Sequence, residues 1–129
     1  MSTRVLIADD EAAILTSLEF LFRQAGYETG AARDGDEALM LARSFRPDLA
    51  VIDFMLPKLS GVDVCRAIRA DTTLAPMKLL MLSARGGVRD LAAGEAVGVD
   101  AYYVKPFSTK DLMREVARLL AQPGHQHAS

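Results

Sequence analysis

At 129 residues the chain is the size of one domain, long enough to bury about two-thirds of the surface it exposes when unfolded. With 50% hydrophobic and 25% charged residues and a formal net charge of -2, it has the composition of a soluble globular protein and no basic excess for direct nucleic-acid contact. A single cysteine, Cys65, excludes an internal disulfide and fits a reducing compartment. Neither a signal peptide nor an apolar run of the ~20 residues a membrane span needs is present, so a cytoplasmic protein is expected.

Arg4 to Ala8 is a short aliphatic run that closes on Asp9-Asp10, and reads as the first strand. From Glu11 the spacing becomes helical: Ile14, Leu18, Leu21 and Ala25 share a face that Leu15 and Phe22 widen. Asp10 is expected to cap this helix and Gly26 to end it. Tyr27 to Ala32 is a weaker strand. Asp34 or Asp36 caps a second helix, Glu37 to Phe45, with Ala38, Leu41, Ala42 and Phe45 inward, and Arg46-Pro47 breaks it. Leu49 to Ile52 reads as a central strand buried on both faces, ending on Asp53 and stopped by Pro57.

Ser60 or Gly61 starts a third helix with Val64, Cys65 and Ile68 inward. Met77 to Leu82 is a fourth buried strand that ends on Ser83. The Ala84-Arg85-Gly86-Gly87 stretch reads as flexible. The helix after it, Val88 to Val97, carries Val88, Leu91, Ala92 and Ala96 and should be the least stable of the set. Ala101 to Val104 is a fifth strand ending on Lys105-Pro106. Ser108 or Thr109 caps a last helix with Leu112, Val116, Leu119 and Leu120 in phase. Met40, Met77 and Met81 are expected in the core. Residues 1–122 form the domain. Residues 123–129, with His125 and His127, read as a loose tail or the start of a linker. Strand and helix alternate five times over short loops, which predicts an α/β fold: a doubly wound parallel sheet of five strands with helices on both faces.

In such a sheet the strand ends share one edge, and so do Asp9-Asp10, Asp53, Ser83 and Lys105. Three close carboxylates repel one another, and a divalent cation relieves that. An all-oxygen set selects Mg²⁺ or Mn²⁺. A cation, a fixed lysine and a hydroxyl together suit a phosphoryl group, and aspartate is a known nucleophile toward phosphorus.

Together, Asp9-Asp10, Asp53-Phe54-Met55-Leu56-Pro57 followed by Gly61, Ser83-Ala84, and Lys105-Pro106-Phe107 resemble a response-regulator receiver domain of two-component signalling. The likeness runs from Arg4 to about Leu120. It implies a flavodoxin-like strand order 2-1-3-4-5. Asp53 would be the phospho-acceptor. Asp10, Asp53 and the Met55 carbonyl would bind Mg²⁺, with Asp9 acting through a metal-bound water. Lys105, Ser83 and Ala84 would meet the phosphoryl group, Tyr102 would be the switch aromatic, and the Lys105–Pro106 bond would be cis. Met55 and Arg85 occupy positions that influence dephosphorylation in the family, and Ser83 stands where threonine is more common. The implied partners are a sensor histidine kinase or phosphotransfer protein, and a downstream protein or output domain on the face of the fourth helix, fifth strand and fifth helix. A homodimer is a further option.

Each piece alone has a plainer reading: a helix cap for Asp9-Asp10 or Ser83, a turn-capping acid for Asp53, a loop for Lys105-Pro106, strand packing for Tyr102. Their joint occurrence at successive strand ends favours the site. The competing function is a Mg-dependent phosphatase or phosphotransferase with an aspartate nucleophile. Such enzymes usually place a second acid soon after the first, and Phe54 and Met55 stand there instead. A signalling module is therefore favoured over a turnover enzyme. A pure interaction module is the third reading, against which the intact acids and lysine count.

Overall fold

The computed structural model describes residues 2–84 and 88–122, with the side chains of Val88 and Arg89 left aside. Expectations that fall on Arg85, Gly86-Gly87, the Val88 side chain, Pro123-Gly124, His125 and His127 lie outside the described residues. Ten elements alternate strictly: β1 (Arg4–Ala8), α1 (Ala12–Gln24), β2 (Glu28–Ala32), α2 (Gly35–Ser44), β3 (Leu49–Asp53), α3 (Gly61–Ala70), β4 (Lys78–Ser83), α4 (Val88–Val97), β5 (Ala101–Val104) and α5 (Thr109–Leu120). The strands form one parallel sheet in the order β2-β1-β3-β4-β5.

Strand residues alternate between two core layers. On one face Leu6, Ala50, Ile52, Leu79 and Met81 pack with Ala38 and Ala42 of α2, Val64, Cys65 and Ile68 of α3, and Ala93 and Val97 of α4. On the other, Val5, Ile7, Leu49, Val51, Leu80 and Leu82 pack with Leu15, Leu18 and Phe22 of α1 and Leu112, Val116 and Leu119 of α5. Burying each such leucine or isoleucine contributes about 1.5–3 kcal/mol. All of β3 and β4 is buried, as parallel strands covered on both faces require. A third contribution is polar. Arg69 of α3 donates to the carbonyls of Ala75, Met77 and Gly98 and to Asp100 at 2.9 Å, which ties α3 to the loops before β4 and β5.

Capping is local and sequence-driven. Asp34, Ser60 and Ser108 accept N–H bonds from Glu37, Asp63 and Asp111. Gly26 follows α1 at a φ of +95°, where a side chain is strained.

Four expectations are corrected. Asp10 does not cap α1: Glu11 is the N-cap and makes no side-chain bond there. Ala25 is exposed, one residue beyond the end of α1 and three beyond its last buried residue, Phe22. Met40 is 58% exposed, because it lies two residues from both Ala38 and Ala42 and so faces away from the inward side of α2 that they form. On α4, Leu91 is 42% exposed and Ala92 and Ala96 face solvent, while Ala93, Gly94 and Val97 turn inward. Here small residues set the phase: a side chain on Gly94 would lie 3.3 Å from Val99 Cγ2 and 3.7 Å from the Tyr102 ring.

Candidate functional site

Register brings the strand ends together. Ala8 pairs with Ile52, Asp53 with Leu82, and Ser83 with Val104, so Asp9, Asp53, Ser83 and Lys105 follow one another along the edge. The Lys105 N–H donates to the Ser83 carbonyl at 2.7 Å, and the Phe54 N–H to the Leu82 carbonyl at 2.6 Å. Past Asp53 the chain returns sharply: the Gly61 N–H donates to the Phe54 carbonyl at 3.0 Å. A Cβ at Gly61 would strike the Asp53 carbonyl oxygen, so this return admits glycine alone.

Asp9 is fully buried. Its Oδ1 accepts the Glu11 N–H at 2.8 Å, a side-chain turn that leads the chain into α1. Its Oδ2 lies 2.9 Å from Lys105 Nζ, but off the hydrogen-bonding direction, and has no hydrogen-bond partner among the described residues. Asp53 is 3% exposed. Its Oδ2 accepts from Lys105 Nζ at 3.1 Å and its Oδ1 from the Met55 N–H at 3.3 Å. Asp10 is exposed, yet each of Asp9, Asp10 and Asp53 places an oxygen within 4.8 Å of the others.

Burial raises the Asp53 pKa from 3.8 to about 6, and the Asp9 charge adds to this, while Lys105 and the Met55 N–H work against it. For Lys105, burial favours the neutral amine. The nearby Asp9 carboxylate and the hydrogen bonds of Lys105 to Glu11 and Asp53 outweigh that and hold the ammonium above the usual lysine range. Glu11 was not among the expected site residues, yet Lys105 donates to its Oε1 at 2.9 Å. The available signal is three acids in succession, Asp9-Asp10-Glu11, the third at the point where helical spacing begins.

The remaining candidates border this cluster. Ser83 is 1% exposed, and its hydroxyl donates to Asp90 Oδ2 at 2.9 Å. Ala84 is exposed just beyond it. Tyr102 is partly buried in the α4-side layer. The Met55 side chain is 67% exposed, so Met55 offers the site its backbone rather than its thioether. The Lys105–Pro106 bond is cis. Cys65 is buried in apolar surroundings that push its thiol up to about 12, a core role.

The donor set tests well against a cation. All its atoms are oxygens, and the buried Asp9 Oδ2 has the Lys105 ammonium 2.9 Å away but accepts no hydrogen bond among the described residues, which leaves its lone pairs open to a cation. One ammonium meets three carboxylates, those of Asp9, Glu11 and Asp53, and Asp10 adds a fourth beside Asp9 and Asp53, leaving an acidic cluster that could hold a metal.

Comparison with known proteins agrees with this geometry. The family model for the response regulator receiver domain matches residues 5–117. The chain is 39% identical over 120 residues to the alkaline phosphatase synthesis transcriptional regulatory protein PhoP of Bacillus subtilis, covering 93% of this chain and 49% of that protein. It is 40% identical over 120 residues to the DNA-binding response regulator MtrA of Mycobacterium tuberculosis, covering 92% of this chain and 51% of MtrA. The chain thus spans about half the length of the curated relatives it matches. A CheY-like receiver domain from Methanospirillum hungatei superposes with a TM-score of 0.88 at 27% identity, over 94% of this chain and 95% of that one. No helix among the described residues is long and apolar enough to cross a membrane. With the family model spanning most of its length, and the acids and lysine meeting at one sheet edge, this chain belongs to the response regulator receiver domains, the signalling modules of two-component systems.

Proposed function

We propose that Asp53 is the phospho-acceptor of this receiver, taking a phosphoryl group from a phosphohistidine on a sensor kinase or phosphotransfer protein. The observation that carries this is the buried Asp53 carboxylate bonded to Lys105 and within 4.8 Å of the oxygens of Asp9 and Asp10. Asp10, Asp53 and the Met55 carbonyl would hold Mg²⁺, with Asp9 acting through a water. Mn²⁺ is the alternative ion. When bound, the cation neutralises the carboxylates and draws charge from the phosphoryl oxygens.

A pKa of about 6 leaves Asp53 ionised at neutral pH, so one of its oxygens carries the lone pair that attacks phosphorus. The new P–O bond forms as the P–N bond to the partner's imidazole breaks, and that imidazole leaves with its electron pair. Lys105, already 3.1 Å from Asp53 Oδ2, stays beside the added dianion. The loop from Phe54 to Gly61 contains no acid to serve as a general base, which favours a stored modification over turnover.

The stored charge biases two arrangements of Ser83 and Tyr102, and the face made by α4, β5 and α5 reports which one is populated. That face is where an output domain or partner, or a second copy, would read the state. A cytoplasmic location follows from such a partner kinase.

Intact-mass measurement with Mg²⁺ and a small-molecule phosphodonor tests the reading. One base-labile phosphoryl group per chain, lost in Asp53→Asn, supports it. Equal incorporation in Asp53→Asn would overturn it, and continuous release of phosphate from monoesters would point to a phosphatase.

A further inference from the structure

On α4 an acid sits where an apolar residue is expected. Asp90, Ala93, Gly94 and Val97 follow the i, i+3, i+4, i+7 spacing of one helix face, and the last three of these pack toward the sheet. Asp90 is partly exposed in the first turn of α4, where a carboxylate suits the helix N-terminus, and its place on the inward face brings it to a donor. The donor is the Ser83 hydroxyl, 2.9 Å from Asp90 Oδ2 and 1% exposed. Ser83 shares its side of β4 with Met81, whose sheet neighbour is Tyr102, so the bond spans the gap between the end of β4 and the first turn of α4.

A serine hydroxyl carries a single proton. While it is donated to Asp90, it is not available to an oxygen on Asp53. We propose that Asp90 is a positioning residue that holds Ser83 in the unphosphorylated arrangement, so that a phosphoryl group on Asp53 must draw the hydroxyl away from Asp90 before Ser83 can bind it. This rests on Asp53 being the acceptor and adds a second, competing carboxylate to the switch. The consequence reaches α4. When Ser83 leaves, Asp90 loses its donor, and the first turn of the helix loses a tie to the sheet. Among the described residues the inward face of α4 is built from Ala93, Gly94 and Val97, which offer little apolar area, so the Ser83–Asp90 bond adds to what holds the first turn.

The test is a double-mutant cycle read by the affinity of the Mg²⁺-dependent phosphoryl mimic beryllium trifluoride, measured by calorimetry on the whole chain. Asp90→Ala should bind the mimic about three- to tenfold more tightly than the wild type, since a charge-assisted bond no longer competes for Ser83. Asp90→Asn, which keeps the shape and a neutral acceptor, should fall between them and guards against a variant that merely loosens α4. In a Ser83→Ala background, Asp90→Ala should change the affinity by less than about 1.5-fold. Unchanged or weaker binding by Asp90→Ala with Ser83 present would overturn the proposal. So would equal tightening with and without Ser83, which would assign the effect to α4 packing alone. Failure of the wild type to bind the mimic, or equal binding by Asp53→Asn, would overturn the acceptor reading and the tether together. Binding that needs Asp53 but ignores Asp90 would leave the acceptor reading standing and remove only the tether.

Discussion

Replacing Asp53 by asparagine is expected to stabilise the fold at neutral pH in metal-free buffer, although it abolishes the proposed function. The carboxyl is 3% exposed and its pKa is raised from 3.8 to about 6, first by burial and then by the Asp9 charge. An acid whose folded pKa exceeds its unfolded one binds its proton more tightly when folded. Its contribution to stability is complete below about pH 4 and is lost as pH rises through about 6. Each pKa unit is worth about 1.4 kcal/mol, so ionised Asp53 costs the fold about 3 kcal/mol at pH 7. Asparagine keeps the shape without the charge. Lys105 loses one partner but retains Asp9 and Glu11, each at 2.9 Å. The net gain should be about 1–2 kcal/mol near pH 7 and should vanish near pH 4, where the wild type is itself neutral at this position. Urea unfolding with a chelator at both pH values measures it. A variant less stable than the wild type at pH 7, or a gain of equal size at both pH values, would refute the reasoning.

Lys105→Ala leaves Asp9 and Asp53 buried without a cation and should lose about 3 kcal/mol in chelator. Added Mg²⁺ should restore part of this, as thermal melts with and without the ion would show. Gly61→Ala drives a Cβ into the Asp53 carbonyl oxygen and should cost more than about 2 kcal/mol by chemical denaturation, with slower phosphoryl incorporation in whatever remains folded. Wild-type protein should gain thermal stability with Mg²⁺ concentration, and Asp53→Asn should gain much less.

Parts of the chain with strong, mutually consistent signals were legible from sequence. β3 is an aliphatic run ending on Asp53 and halted by Pro57, and α5 carries Leu112, Val116 and Leu119 in clean phase. The strand-end acids and Lys105 could be placed at one edge because parallel order alone puts them there. What failed was local choice among weak signals. The phase of α4 is not legible from sequence because its bulkiest apolar residue, Leu91, faces solvent, and its inward face holds an acid and small residues. Nothing in the sequence singles out Asp90, although Ser83 meets it. Glu11 and the Asp9 turn could not be told from ordinary helix capping, since the deciding partner, Lys105, lies 94 residues away. The Arg69–Asp100 pair, 31 residues apart, was equally invisible for the same reason.

If Asp53 is the acceptor, the phosphoryl group is attached to its side-chain oxygen and to no other residue. Incubation with Mg²⁺ and a phosphodonor, reduction of the acyl phosphate with borohydride, and peptide mass mapping test it directly. Homoserine is expected at residue 53, formed only when both Mg²⁺ and the donor are present. Modification at any other residue, or the same yield without Mg²⁺, would contradict it.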